Sequence, residues 1–161
     1  MSLPALFLQR IFISDGHNFV GRHGLAPAAH AIREVSSVEC VAGRGLRGDR
    51  YFDRPENHKG QVTLFSLEIF EALRLALNCG EADASALRRN LLVRGTDLNE
   101  LIGREFDLQG IRLFAVEECR PCYWMDTAIG PGAEAWLRGR GGLRCRILTS
   151  GWLHTRVEAP C

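Results

Sequence analysis

The chain has almost no lysine: of its 20 basic residues, Lys59 alone is not arginine. Arginine carries a planar fork suited to phosphates and carboxylates. Codon bias in a GC-rich genome explains the same count, so the bias names no ligand by itself. Net charge is also scarce, at +1 for 161 residues. That excludes a global field drawing the protein to nucleic acid or to an acidic membrane surface. No apolar run approaches the ~20 residues of a membrane span, and the N-terminus has no basic region, apolar block and cleavage site of a secretory signal. The six cysteines are too few and too irregularly spaced for a disulfide scaffold. They indicate a reducing cytoplasm with free or reactive thiols. No repeat, low-complexity tract or linker divides the chain.

What is present is ordinary for a globular domain: 46% apolar and 24% charged residues. The length suits one domain spanning 1–161 with a proper core. Period-two and apolar runs predict strands at 6–13, 31–42, 61–65, 90–93 and 143–150, with 152–157 extending or following the last. A hairpin is expected at 105–108 and 111–116, turning at Gln109-Gly110. Helical period appears over 66–77, where Leu67, Phe70, Leu73 and Leu77 share a face and Ser66 fits the N-cap. Shorter helices are expected at 83–89, 97–102 and 132–138, and long loops at 14–29 and 43–60. Short strands dominate, so the predicted fold is mainly β, a β-barrel with a few inserted short helices rather than a parallel α/β sheet.

The most informative stretch is Cys119-Arg120-Pro121-Cys122. Two thiols stand at C-x-x-C spacing with a cation between them, just after a predicted strand. Pro121 cannot donate to a sheet ladder, so the strand stops there. A neighbouring guanidinium favours the thiolate, the form that attacks sulfur or ligates a metal. Cys122, where the chain leaves the sheet, is expected to be the most reactive thiol. Two buried small hydrophobes would satisfy the same spacing, but Arg120, Glu117 and Glu118 make an unusually polar neighbourhood for a core.

Other motifs lead less far. Gly43-Arg44-Gly45-Leu46-Arg47-Gly48 fits G-x-G-x-x-G, yet Asp49 to Pro55 is a poor helix start, so a dinucleotide site is not expected. Cys119 and Cys122 with His17 and His23 would make four zinc donors, but the histidine gap is wider than standard spacing. A thioredoxin-type dithiol normally opens a helix in a βαβ setting, and Tyr123 to Thr127 shows no clear helix. Arg88 and Arg89 at a helix end are explained by the dipole alone, and Asn90 by a C-cap. Cys145 alternates with arginines in a strand and reads as core.

An ordered set of motifs resembles the MOSC domain, named for the C-terminal domain of eukaryotic molybdenum cofactor sulfurase. They are Gly45-Leu46-Arg47-Gly48-Asp49-Arg50-Tyr51, Gln61 to Ser66, Arg88-Arg89-Asn90 to Gly95, Leu101-Ile102-Gly103, the C-x-x-C and Gly141 to Leu148. The likeness runs from about Val35 to Leu153. It implies a β-barrel and a link to molybdenum cofactor (molybdopterin) or sulfur transfer. In amidoxime-reducing relatives a cysteine matching Cys122 ligates molybdenum. Arginine and asparagine matching Arg88 and Asn90 hold the pterin's phosphate, in Arg-Pro-Asn where this chain has Arg-Arg-Asn. Arg120 matches a neighbour of the ligand, and Thr63 and Ser66 stand at the end of a strand facing the same pocket. The additional N-terminal domain of those enzymes has no counterpart before Val35. Pyridoxal phosphate is not expected on this chain, whose only lysine for a Schiff base sits in a polar loop. A cysteine desulfurase or a molybdoenzyme is the expected partner.

Three functions therefore stand open. The first is a molybdenum cofactor- or sulfur-handling domain using Cys122 as metal ligand or persulfide carrier, with Cys119 beside it. The second is a non-catalytic module binding a small anion. The third is a C-x-x-C thiol redox protein.

Overall fold

Alternation along the first strand sets the layers. In β1 (Phe7–Ser14), Ile11 and Ile13 join one apolar cluster and Phe12 joins another. The strand is therefore buried on both faces, which is why it reads as a continuous apolar run. The same division recurs in β5 and β6 below. The computed structural model describes residues 5–16, 26, 29–55 and 58–155. His17 and His23, weighed above as zinc donors, lie outside these, as does Cys161.

After β1 come β2 (Ile32–Val35), β3 (Ser37–Val41), β4 (Gly45–Leu46) and β5 (Val62–Ser66). Helix α1 (Leu67–Ala76) follows, then a 3₁₀ turn Ala84–Leu87, β6 (Leu91–Arg94) and a second 3₁₀ turn Leu98–Leu101. The chain closes with β7 (Glu105–Leu108), β8 (Ile111–Glu118), α2 (Trp124–Ala128), α3 (Ala133–Leu137), β9 (Leu143–Ile147) and β10 (Gly151–His154). The larger sheet has seven strands in the order β2-β1-β6-β5-β9-β8-β7, and the smaller has three, β10-β3-β4. One apolar cluster fills the space between the sheets, with Ile11, Leu64, Leu91 and Cys145 meeting Val38, Leu46 and Leu153. The second, with Phe12, Phe65 and Leu92, packs the helices onto the other face through Phe70, Leu73, Met125 and Leu137. No helix among the described residues is long and apolar enough to cross a membrane.

The expectation of a mainly β fold holds; the expected barrel is replaced by a large mixed sheet faced by a small one. Among the described residues no ladder closes a ring. The parallel pairing of β5 with β6 is what makes the large sheet mixed, and it needs a crossover, here α1 and the first 3₁₀ turn. The single strand expected over 31–42 is two strands. The chain breaks at Ser36, β2 pairing with β1 in one sheet and β3 with β10 and β4 in the other. The hairpin at Gln109-Gly110 is as expected, with φ of 52° and 83° at these residues, the pair of positive values a type I′ turn requires. Ser66 caps α1, its Oγ accepting from the Ile69 amide at 3.2 Å.

At Gly142 the chain entering β9 passes hard against the neighbouring strand β5. Gly142 has a φ of +92°, and a Cβ there would stand 2.1 Å from the Leu64 carbonyl oxygen. Gly139, in the same segment, has φ +76° and nothing within 4 Å of a built Cβ. Replacing Gly142 by alanine should therefore cost about 3 kcal/mol or more, because backbone must move, whereas Gly139→Ala should cost about 1 kcal/mol of left-handed strain. Denaturant midpoints at constant slope measure both; equal losses would show that the close approach does not matter.

Candidate functional site

The C-x-x-C segment leaves the end of β8 and is fixed from below by one buried side chain. Arg89 is 9% exposed. Its Nε donates to the Gly141 carbonyl at 3.0 Å, one terminal nitrogen to the Leu87 carbonyl at 2.9 Å, and the other to the Cys119 carbonyl at 2.9 Å. The Cys119 amide donates to the Gly142 carbonyl at 2.8 Å. Gly141 must be glycine, since a Cβ would lie 2.3 Å from the Cys119 oxygen and 2.8 Å from Pro121 Cδ. Beyond the thiols the Met125 amide donates to the Cys122 carbonyl, opening α2 where no helix was expected.

Above this clamp lies a cavity of about 220 Å³. Cys119, Arg120 and Cys122 line it together with Arg50, Arg88, Arg89 and Arg144, and with Tyr51 and Trp124 as aromatic walls. Among the described residues no aspartate or glutamate is in the lining. The structure thus brings Arg88 to both thiols although some thirty positions of sequence separate them. The C-cap of the first 3₁₀ turn is Arg88, at φ 55°, not Asn90. This conformation costs a non-glycine residue about 1–2 kcal/mol. It is held by the Arg50 guanidinium, which donates to the Arg88 carbonyl at 3.0 Å. The Arg88 guanidinium reaches back to the Gly16 carbonyl at 2.8 Å.

The electrostatics favour an anion. Burial, then the nearby Arg50 charge, pulls the Arg88 guanidinium down to about 10. Arg50 is nearly enclosed, with 7% of its side chain exposed, and pairs with the fully buried Asp49 carboxylate at 3.2 Å. Asp49 also accepts from the Ser14 amide at 3.0 Å, so one carboxylate is shared. The buried Arg50 Nε has no hydrogen-bond partner among the described residues. An orphaned donor of this kind is costly unless a ligand or water satisfies it. At Arg144 burial works against the charge, but the Cys119 sulfur, by charge and hydrogen bond, outweighs it with help from Tyr51 and Glu117, and holds the guanidinium above its ordinary range.

The other expected site residues lie elsewhere. Asn90 is 1% exposed and outside the cavity lining. Its Oδ1 accepts from the Thr63 amide at 3.0 Å and the Thr63 hydroxyl at 3.1 Å, and its Nδ2 donates to the Phe12 carbonyl at 3.1 Å. Asn90 and Thr63 thus pin β1, β5 and β6 together beneath the pocket floor. Ser66, at the opposite end of β5, borders a separate cavity of about 620 Å³ with Glu68, Thr96, Asn99 and Arg140. Arg50 and Arg144 were not expected at the site. Arg144 had one signal: alternation in β9 puts Cys145 in the core and its neighbours on the other face. Among the described residues no group of three or more His, Cys, Asp or Glu side chains stands close enough to hold a metal.

Comparison with known proteins agrees with this architecture. The MOSC domain family model matches residues 47–159. The YuaD protein from Bacillus subtilis is similar in structure, with a TM-score of 0.68 at 18% identity over 95% of this chain and 94% of that one. YiiM from Geobacillus stearothermophilus gives a TM-score of 0.65 at 12% identity, over 93% of this chain and 71% of that one. No curated protein matches the chain.

Two outcomes follow from the geometry. Truncating Asn90 to alanine strands the Phe12 carbonyl and the Thr63 amide in the interior, and should cost about 3 kcal/mol in denaturant unfolding; a loss under about 0.5 kcal/mol would mean the pin is dispensable. The second concerns the thiols. Cys122 is exposed, while Cys40 and Cys145 are fully buried. Burial pushes Cys40 up to about 12 and Cys145 up as well. A limiting dose of iodoacetamide on folded protein, followed by peptide mapping, should label Cys122 first; faster labelling of Cys79 would refute the assignment.

Proposed function

The chain belongs to the MOSC domain family, and on that premise we propose that it handles molybdenum cofactor or sulfur, with Cys122 as the working thiol. The observation that carries this reading is the cavity shared by both thiols and five arginines, with no carboxylate in its lining among the described residues. A soft thiolate and a set of guanidiniums are the donors that a thiol-ligated metal and an anionic group need. The orphaned Arg50 Nε is a donor that an anion's oxygen would satisfy. At about 220 Å³ the cavity is below the ~300 Å³ usual for whole small-molecule sites. It suits the anionic and metal-bearing end of the cofactor, or sulfane sulfur on a cysteine.

Cys122 would be the metal's ligand, and Arg50, Arg88, Arg120 and Arg144 would hold the negative charge. Molybdenum, when bound, supplies two-electron redox chemistry. Arg89, Asn90 and Thr63 act through the backbone, keeping the thiol loop and the floor of the cavity in place. As a sulfur carrier, Cys122 would react as thiolate with a donor persulfide. Its Sγ forms a bond to the sulfane sulfur, the donor's S–S bond breaks, and the donor leaves as a thiolate. The exposure of Cys122 lets a macromolecular donor such as a cysteine desulfurase reach it.

Purification from a host that makes molybdopterin tests this. Native mass spectrometry and metal analysis should find molybdenum or one added sulfur on the wild-type protein. Cys122→Ser should lose it, and Arg88→Gln should lose most of it while keeping the fold. Wild-type protein with neither molybdenum nor sulfane sulfur, yet retaining inorganic phosphate in a manner indifferent to Cys122→Ser, would overturn the reading in favour of an anion-binding module.

A further inference from the structure

The two thiols of the C-x-x-C are held so differently that one can be loaded from outside and only the other is placed behind it. Cys122 is exposed at the cavity mouth. Cys119 is 7% exposed, lines the same cavity, and has its backbone tied at both ends, amide to Gly142 and carbonyl to Arg89. The Arg144 guanidinium lines the same cavity, on β9 where it pairs with the end of β8 that leads into the thiols. A donor protein can reach Cys122 but not Cys119. Both cysteines are free thiols and line one cavity, so a second sulfur nucleophile stands three residues before the loaded position.

We propose that Cys119 is the resolving thiol of a sulfur-releasing step, assisted by Arg144. The proposal rests on the persulfide-carrier reading of Cys122 and adds to it the means of unloading. Cys119, having given its proton to solvent, attacks Cys122 Sγ of the loaded protein. A Cys119–Cys122 disulfide bond forms, the bond between Cys122 Sγ and the sulfane sulfur breaks, and that sulfur leaves with its proton as hydrosulfide. The sulfane sulfur is reduced and the two cysteine sulfurs are oxidised, so no outside oxidant is consumed. A low-molecular thiol then restores the dithiol by exchange. Arg144, in the same lining as Cys119 and opposite Glu117 in the sheet, contributes by placing positive charge where the sulfur anions of this exchange pass. The surrounding arginines would also hold the departing anion near an acceptor in the pocket before it escapes.

The test uses the full chain in its reduced form, exposed to one equivalent of glutathione persulfide, with intact-mass and hydrosulfide readouts over time. Wild-type protein should gain one sulfur, then lose it together with two hydrogens, with one hydrosulfide released and a Cys119–Cys122 disulfide found on peptide mapping. Cys119→Ser should gain the sulfur and keep it on Cys122. Arg144→Gln, with release scored per loaded molecule so that any change in loading is divided out, should release hydrosulfide about tenfold more slowly, and Arg144→Lys should recover part of that loss; these variants keep the test open if Cys119→Ser does not fold. Wild-type protein that holds the extra sulfur on Cys122 and never forms the disulfide would overturn this inference while leaving the carrier reading intact. A chain that takes up no sulfur at Cys122 and forms no disulfide would overturn both.

Discussion

One buried guanidinium holds the functional region together. Arg89 donates to three carbonyls that belong to three different segments: the 3₁₀ turn at Leu87, the glycine strap at Gly141 and the thiol loop at Cys119. Each of these oxygens would otherwise be a buried acceptor at a loop, where no ladder supplies a donor. A lysine could not serve, because it offers a point charge rather than a planar fork. Glycine at 141 lets the strap come close enough for the fork to span both carbonyls. The geometry of the thiols is therefore set by a residue that does no chemistry.

Around this clamp, positive charge is concentrated rather than cancelled. Elsewhere the surface arginines are mostly matched: Arg10 with Glu34 and Asp83, Arg44 with Asp53, Arg94 with Glu71. Such exposed pairs contribute little to stability. In the cavity, Arg50 shares its one aspartate with the Ser14 amide, Arg88 is depressed by burial and by Arg50, and Arg144 stands in the same lining as the thiols. Charge kept close together at such cost, with a left-handed Arg88 besides, is what the proposed anion-holding role rests on. Near-neutral net charge for the whole chain hides this, since composition averages over the surface.

The sheet that carries the site is equally dependent on a polar pin. Asn90 replaces a stretch of ladder at the head of β6 by bonding β5 through Thr63 and β1 through the Phe12 carbonyl. Its match to a phosphate-holding position in relatives and its buried place here need not conflict. A residue that fixes the floor determines where Arg88, two positions earlier, can stand. Ser66 differs: as the cap of α1 it belongs to the far end of β5.

The sequence by itself determined the strands, the capped helix, the Gln109-Gly110 turn, the core role of Cys145 and the family. These depend on local alternation, turn chemistry and ordered motifs, which neighbouring residues specify. It also pointed to Cys122 and Arg88. Tertiary structure alone decided that the sheets stay open, because that depends on which strands pair across long stretches of chain. It split 31–42 at Ser36, because two sheets compete for one segment. It separated Arg88 from Arg89, the first left-handed with its carbonyl held by Arg50 and the second locked on three carbonyls, though adjacent identical residues carry no signal for the difference. It brought Arg50 and Arg144 to the thiols from strands and loops far away in sequence, since a convergent charged pocket is a property of packing and not of any one segment.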